Sequence, residues 1–394
     1  MTTVAASRRE RLRQSLAPFL SFFSGPFARL NGQADIANFA VGNPQEMPFP
    51  AYVSALQRHI EPQDKDWFAY KLSEPASQRI VAETLTRRTG MTWDPADVAM
   101  TNGGFGALAV ALRTIVDPGD EVIFLSPPWF FYESLILAAG GEPVRVKLDP
   151  PAFDPDLERI AAAITPNTRA IVVNSPHNPS GRIYAPDLLA SLASLLADAA
   201  ERIGHPVWII SDEPYNRIVF DGREYHSPAQ HHPHTIITYS YGKTLLAPGQ
   251  RIGYLTVPPT LPDREPLRQE VMLQQLAAGY AFPNALMQHA LGDLEGLSID
   301  IGVLQRRRDR LVPALHALGY EATMPEGTFY TMARSPLADD LAFADILARH
   351  RVLVLPGTIV EVPGWFRISL TASDDMVEAG IPRFAAAMEE ARRS

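Results

Sequence analysis

Short apolar segments alternate with segments of helical length through the middle of this 394-residue chain. Strands that alternate with helices form a mostly parallel sheet covered by helices on both faces. We therefore predict a three-layer α/β/α domain, in which ligands bind beyond the carboxyl ends of the strands. The predicted strands lie at residues 121–125, 144–148, 169–174, 207–211, 235–239 and 253–257.

Residues beyond about 290 follow a different pattern. A long polar helix is predicted at 299–318, a closing helix at 375–392, and short strands lie between them. This order is typical of an α+β domain. The length of the chain fits about two domains. We predict an N-terminal arm and small-domain segment (1–45), a large α/β domain (46–290) and a smaller C-terminal domain (291–394).

The N-terminal arm has the pattern of an amphipathic helix, which we expect to dock on the body or on a partner subunit. Its apolar stretch is short and interrupted by Pro18, which does not fit a signal peptide. No apolar run reaches the ~18 residues that span a bilayer. The apolar side chains that share one helical face are Leu12, Leu16, Phe19, Leu20 and Phe23.

The composition narrows the classes of function. A net charge of −9 argues against a nucleic-acid surface. We expect the one short basic run, at 306–308, on a solvated helix face. The absence of cysteine excludes disulfides and thiolate chemistry, and it fits a cytoplasmic protein. Four histidines in an irregular, proline-rich loop (His226, His231, His232 and His234) predict an exposed polar loop and no metal site.

Lys243 is the strongest candidate for a catalytic residue. It follows an apolar strand, with Ser240 three positions before it and Arg251 eight positions after it. Desolvation and a neighbouring cation both disfavour the ammonium form, which makes an amine a usable nucleophile. Such a lysine suits a Schiff base to an aldehyde cofactor that carries a phosphate. A solvated lysine on a turn is the ordinary alternative.

Two glycine- and proline-rich segments follow predicted strands. Gly103, Gly104 and Phe105 open a helix, whose free N–H groups and dipole can bind a phosphate, although such helix starts are also common in cores. Asn178 lies in a loop that two prolines and a glycine make rigid, so its amide can face a ligand oxygen. An ordinary tight turn explains the same loop.

Two charged residues lie where burial makes a charge costly. Asp212 ends an apolar strand, and a buried carboxylate needs a cation, either a pyridinium or a structural arginine, or else a helix N-terminus. Arg367 alternates with apolar residues in the second domain, which suggests a fork for a substrate carboxylate. An interdomain salt bridge explains Arg367 equally well.

Taken in this order, the motifs resemble the fold type I pyridoxal-phosphate enzymes, specifically the class I and II aminotransferases of the aspartate aminotransferase type. The resemblance extends from about Gly42 to the C-terminal helix. HNPSG at 177–181 is similar to the (N/H)NP(T/S)G motif of the family, and DEPY at 212–215 to its D-x-x-Y motif. SYGKTLLAPGQRIGY at 240–254 is similar to the segment that carries its Schiff-base lysine.

The resemblance implies pyridoxal 5′-phosphate as the cofactor and a homodimer with shared active sites. It makes Lys243 the Schiff-base lysine and proton shuttle, Asp212 the partner of the pyridine nitrogen, and Tyr70 the residue that reaches the phosphate of the neighbouring subunit. Arg367 would grip the substrate carboxylate, with Gly42 and Asn178 beside it. The other cofactor contacts implied are Gly103, Gly104, Phe105, Trp129, Asn178, Tyr215, Ser240 and Arg251.

The implied reaction moves an amino group from an L-amino acid to a 2-oxo acid by a ping-pong mechanism. Relatives selective for dicarboxylic substrates can carry a lysine or another polar residue where this chain has Phe105. Together with Trp129, Phe130 and Phe131, Phe105 predicts an apolar wall of the substrate pocket. Such a wall favours an amino donor with a neutral or aromatic side chain. Lys71 leaves an aspartate-type substrate open.

Other reactions on the same scaffold stay open, namely C–S β-lyase or elimination chemistry and amino-acid oxidation. A transcriptional sensor of this fold would need a DNA-binding module, for which the roughly 40 residues before the core are too few.

Overall fold

The computed structural model describes residues 7–393; residues 1–6 of the predicted arm lie outside that part, as does Ser394. The helices are α1 (Arg8–Ser24), α2 (Pro26–Leu30), α3 (Pro50–His59), α4 (Pro75–Thr89), α5 (Gly103–Ile115), α6 (Tyr132–Ala139), α7 (Leu157–Ala163), α8 (Pro186–Ile203), α9 (Tyr241–Thr244), α10 (Glu265–Ala277), α11 (Ala285–His289), α12 (Leu291–Leu294), α13 (Ile301–Ala317), α14 (Asp340–Arg349) and α15 (Asp374–Arg393). The strands are β1 (Ala37–Asn38), β2 (Val98–Thr101), β3 (Glu121–Ser126), β4 (Glu142–Lys147), β5 (Thr168–Asn174), β6 (Trp208–Asp212), β7 (Thr235–Ser240), β8 (Gly253–Thr256), β9 (Tyr330–Arg334), β10 (Val352–Leu353), β11 (Leu355–Pro356) and β12 (Trp365–Ser369).

A seven-stranded sheet forms the centre, in the order β2-β8-β7-β6-β5-β3-β4. The pairs from β4 to β7 are parallel, and β8 runs antiparallel to both of its neighbours. Helices α7 and α8 contribute residues to one apolar cluster, and helices α5 and α6 contribute to a second, separate cluster. The predicted α/β fold with a mostly parallel sheet is confirmed.

The register of this sheet brings the carboxyl ends of three strands together. Asn174 at the end of β5 pairs with Asp212 at the end of β6, and Asp212 pairs with Thr238 of β7. Lys243 follows β7 directly on α9. Candidate residues from separate motifs therefore lie at one edge of the sheet, as expected for a parallel arrangement.

A second layer combines the C-terminal region with the start of the chain. Strands β11, β12 and β9 form an antiparallel sheet, and β1 pairs in parallel with β10. Phe39 packs on Phe384 in the core of this layer, and its carbonyl accepts a hydrogen bond from the N–H of Ser369. The segment around Gly42 thus runs beside β12, which carries Arg367. The domain boundaries themselves stay a prediction.

Helix α1 docks on the body through α6. Arg11 forms an ion pair with Glu142, and the Phe19 ring lies 4.8 Å from the ring of Phe130. Leu20 does not dock on the body of its own chain, because 57% of this residue is exposed. Leu20 lies at the edge of the apolar stripe, whereas the other four side chains of the stripe are partly buried.

Of the three arginines in the basic run of α13, Arg306 is exposed as predicted, whereas the other two are buried. Arg307 and Arg308 are 5% and 3% exposed. Arg307 pairs with Glu46 and Asp374, and Arg308 pairs with Asp221. Arg308 also pairs with the adjacent Asp309. The prediction failed for these two arginines because Glu46, Asp374 and Asp221 are distant in sequence, so the pattern of the helix alone gives no sign of the burial.

The histidine-containing loop is only partly exposed, because Ala229 anchors it in an apolar cluster. His232 is buried, and burial lowers its pKa to about 4. Within residues 7–393, no group of three or more histidine or acidic side chains is placed to hold a metal ion. None of the described helices combines the length and apolar character needed to cross a membrane.

Candidate active site

A cavity opens at the carboxyl edge of the central sheet, and most of the predicted site residues line it. Gly103 directly precedes Gly104 of the wall, while Gly42 and Arg367 lie beyond Asn178. Tyr70 is not part of the cavity in the single chain. The lining residues are Gly104, Phe105, Leu108, Trp129, Asn174, Asn178, Asp212, Pro214, Tyr215, Ser240, Lys243, Pro248 and Arg251.

Lys243 extends from α9 into this cavity and is partly buried. Its amine lies 5.8 Å from the ring centroids of Tyr215 and Phe329. Among residues 7–393 it has neither a hydrogen-bond acceptor nor an ion-pair partner. The amine is therefore free to react with a ligand in the cavity.

Asp212 is 5% exposed, and no arginine or lysine of the described chain forms an ion pair with it. The Tyr132 hydroxyl donates to its Oδ2 at 2.6 Å. Burial raises the pKa of Asp212 to about 6, although the Tyr132 hydrogen bond and the charge of Lys243 act in the opposite direction. A buried carboxylate in this state gains from a cationic ligand group at the cavity.

The start of α5, Ser240 and Arg251 converge on one end of the cavity. Gly103 has φ of +77°, and a Cβ at this position would lie 2.8 Å from Nη2 of Arg251. A Cβ on Gly104 would lie 3.2 Å from the Cβ of Ser240. The two glycines therefore let a helix N-terminus, a hydroxyl and a guanidinium approach each other, which is a suitable set for a phosphate.

Arg251 has no carboxylate partner within the described residues. Its Nη1 donates to the carbonyl of Pro248 at 2.7 Å, and burial lowers its pKa. The Ser240 hydroxyl likewise makes no hydrogen bond to the described chain. Both groups keep capacity for an anionic ligand.

The other end of the cavity leads to Arg367, which is 3% exposed. Its Nη1 donates to Oδ1 of Asn178 at 2.9 Å and its Nη2 to the carbonyl of Ala40 at 3.0 Å. Its Cζ lies 3.9 Å from the centroid of the Tyr330 ring. No acidic side chain of residues 7–393 pairs with it, so the interdomain salt bridge that the sequence left open is absent from the described structure.

Gly42 lies against this arginine site from the N-terminal segment. A Cβ at Gly42 would collide with the Tyr330 hydroxyl and would lie 2.5 Å from Cε2 of Phe329. Only glycine fits there without a shift of one of these rings. The close approach of the N-terminal segment to Phe329 and Tyr330 therefore requires glycine at position 42.

Aromatic rings form the wall beside the start of α5. The Phe105 ring lies 5.1 Å from Trp129 and 5.0 Å from Phe131. Phe130 packs behind them on Phe131 and on Phe19 of α1. Of the four residues predicted to form an apolar wall, Phe105 and Trp129 line the cavity, whereas Phe130 and Phe131 pack behind them.

Tyr70 lies away from the cavity of its own chain, and 86% of it is exposed. Its nearest aromatic neighbour is Phe282, at 4.9 Å between ring centroids. Phe68, Met272, Leu273 and Leu276 are also large apolar residues with exposed surface.

The sequence reasoning missed two tyrosines. Tyr132 donates to Asp212, and Tyr330 underlies Arg367. Tyr132 comes only three positions after Trp129, a predicted cofactor contact, so its place near the site could have been inferred from the sequence. Tyr330 comes from a different strand of the small sheet, and nothing in its own segment marks it.

The geometry agrees with comparisons to known proteins. The profile of the family "Aminotransferase class I and II" matches residues 34–384. The chain belongs to this family. Enzymes of the family depend on pyridoxal phosphate.

Characterised members of the family are similar over most of their length. The aspartate/prephenate aminotransferase of Thermus thermophilus is 34% identical over 365 residues, which cover 89% of this chain and 90% of the relative. An aminotransferase structure from Eubacterium rectale has a TM-score of 0.87 at 28% identity, covering 98% of this chain and 96% of the other. The aspartate aminotransferase of Thermus thermophilus with maleate has a TM-score of 0.81 at 28% identity, covering 98% and 100%.

Proposed function

We propose that this chain binds pyridoxal 5′-phosphate in the cavity around Lys243 and transfers the amino group of an L-amino acid to a 2-oxo acid. The observation that carries the proposal is Arg367, a guanidinium that is 3% exposed and has no acidic partner within the described residues. Its Nε has no hydrogen-bond partner either. A buried cation of this kind is costly unless an anion joins it, and a substrate carboxylate matches its fork.

The residues of the cavity fit the proposed cofactor by charge. Asp212 lacks a cation where the pyridine nitrogen of the cofactor would offer one. Arg251, Ser240 and the start of α5 lack an anion where a phosphate would offer one. Lys243 supplies the free amine that an aldehyde requires.

The bound cofactor would supply an electron sink for cleavage of a bond at the substrate Cα. Lys243 would then carry a proton from this carbon by its Nζ, as a general base and acid. Asp212 would keep the ring nitrogen protonated, and Asn178 and Tyr215 would orient the ring. Arg367 would hold the carboxylate, so that the reacting bond has a fixed direction.

For the donor, we propose a neutral or aromatic side chain. Phe105 and Trp129 present an apolar surface to the cavity beside the start of α5. An aspartate-type specificity is the second candidate, because several similar proteins carry the names aspartate or aspartate/prephenate aminotransferase.

We also propose a homodimer in which Tyr70 completes the site of the partner. This is supported by the exposure of Tyr70, Phe68 and Phe282, since exposed apolar patches of this kind mark interaction surfaces. Light scattering of the purified protein tests the dimer. A mixed dimer of Lys243→Ala and Tyr70→Ala chains should regain one working site, whereas the Lys243→Ala homodimer should be inactive and the Tyr70→Ala homodimer weakened at both sites.

The reaction is tested by a panel of donors, each assayed with and without 2-oxoglutarate. We expect the donor to be consumed only with the acceptor, and phenylalanine or leucine to exceed aspartate in kcat/KM. Ammonia release without an acceptor would show lyase or oxidase chemistry instead. Lys243→Ala should abolish turnover, and the matched control Lys147→Ala, an exposed lysine on β4, should leave it intact.

A further inference from the structure

Tyr330 joins three parts of the site that the sequence treats separately. It is 3% exposed and lies on β9, two positions before Met332, which pairs with Arg367 across the small sheet. The guanidinium of Arg367 lies over its ring, with Cζ 3.9 Å from the ring centroid. This is the shortest contact between a cation and a ring in the described chain. Its hydroxyl faces the backbone of Gly42 on one side and Tyr215 on the other.

Arg367 has few other supports. Its two hydrogen bonds go to neutral acceptors, the amide of Asn178 and the carbonyl of Ala40. No carboxylate of the described residues fixes its plane. Among the described residues, the Tyr330 ring is the one aromatic face in contact with this guanidinium. A desolvated cation–π contact is strong enough to determine the direction of the guanidinium fork.

We propose that Tyr330 is a positioning residue for the substrate carboxylate: its ring orients Arg367, and its hydroxyl adjusts the charge of the carboxylate-binding site with pH. The inference rests on the proposed role of Arg367. It adds a second residue that determines the affinity for the carboxylate without itself touching the reacting atoms.

The charges around the hydroxyl support the second half of the proposal. Burial would raise the pKa of Tyr330, but the charges of Arg367 and Lys243 and the hydrogen bonds from Tyr215 and the backbone of Gly42 together lower it below the value of an ordinary tyrosine. Burial and the neighbouring Tyr330 raise the pKa of Tyr215 well above its usual value. Of the two phenols, Tyr330 therefore ionises first. A phenolate under Arg367 would offset the guanidinium and weaken carboxylate binding as the pH rises.

The groups that face this hydroxyl come from four elements. They are Arg367 on β12, Lys243 on α9, Tyr215 after β6 and the backbone N–H of Gly42; Asp212 acts through Lys243 and Tyr215. All of them are present in both the wild type and a Tyr330→Phe variant. The difference between these two proteins therefore isolates the Tyr330 hydroxyl.

The test measures inhibition of the holoenzyme by two carboxylates that have no amine, 3-phenylpropanoate and succinate. Tyr330→Leu, which removes the ring, should raise the inhibition constant of the better inhibitor and the KM of the donor by about 10- to 30-fold, with a smaller change in kcat. Tyr330→Phe keeps the ring and should stay within about threefold of the wild type near neutral pH. Between about pH 7 and pH 10, the inhibition constant should rise less in Tyr330→Phe than in the wild type.

Tyr320 gives a matched control in the same layer. It is also 3% exposed, its hydroxyl donates to the carbonyl of Phe384, and its ring packs on Phe366 rather than on Arg367. Tyr320→Leu should lower the melting temperature and leave the inhibition constants unchanged.

Equal inhibition of Tyr330→Leu and the wild type would overturn the role of the ring, as would an equal loss in Tyr320→Leu. The same pH dependence in Tyr330→Phe and the wild type would overturn the role of the hydroxyl. A wild-type enzyme that binds neither carboxylate would instead contradict the proposed function of Arg367, and the inference with it.

Discussion

Replacing Asp212 by asparagine should stabilise the apoprotein while it weakens cofactor binding. Burial raises the pKa of this carboxyl from 3.8 to about 6. One pKa unit corresponds to about 1.4 kcal/mol, so keeping the group ionised costs the folded apoprotein about 3 kcal/mol relative to the unfolded chain. Asparagine carries no charge, and its oxygen can still accept the hydrogen bond from Tyr132.

The sign of the effect follows from the raised pKa. Between the two pKa values the folded protein binds more protons than the unfolded chain, so wild-type stability falls as the pH rises through this window. The advantage of Asp212→Asn should therefore be small near pH 4, reach about half of its full value near pH 5, and level off at about 3 kcal/mol above about pH 7.

Urea unfolding of the apoproteins at pH 5 and pH 8 measures this difference. Asp345→Asn is the control, because Asp345 is an exposed carboxylate on α14 without an ion-pair partner among residues 7–393. Adding pyridoxal phosphate should reverse the order at pH 8, since the cofactor cation gives Asp212 its missing partner. An advantage of Asp212→Asn that is zero at pH 8, or equal at both pH values, would refute the electrostatic reasoning.

The remaining predictions concern the two ends of the substrate site. Arg367→Lys keeps the charge but loses the planar fork, so the KM of every donor should rise by about tenfold or more in steady-state assays; an unchanged KM would contradict carboxylate binding there. Phe105→Lys places a cation beside the apolar wall, and the ratio of kcat/KM for aspartate over phenylalanine should rise by about tenfold or more. If that ratio stays constant, Phe105 does not face the substrate side chain.

Much of the fold could be predicted because it depends on local patterns. The alternation of apolar strands with helices predicted the parallel sheet, and the strands predicted at 121–125, 169–174 and 253–257 end within one residue of β3, β5 and β8. Strand β2 was missed because only Asn102 separates it from the glycines that open α5, so the pattern at its end indicates the start of a helix. The parallel pairing of the two-residue strands β1 and β10 was beyond prediction, since it joins residues more than 300 positions apart.

The site was predictable where a motif carries its chemistry within a few residues, as around Lys243 and Asp212. It was not predictable where a residue depends on a distant partner. Arg307 was expected in solvent, because Glu46 and Asp374 come from other parts of the chain. Tyr330 was missed for the same reason, since its contact with Arg367 exists only after the small sheet has formed.

The identity of the lysine that binds the cofactor tests the central claim most directly. The chain has four lysines, Lys65, Lys71, Lys147 and Lys243. Reduction of the pyridoxal-phosphate-loaded enzyme with borohydride, followed by peptide mass spectrometry, shows which of them carries the cofactor. We predict one cofactor mass per chain, on Lys243. Labelling of another lysine, or none, would contradict the proposed mechanism.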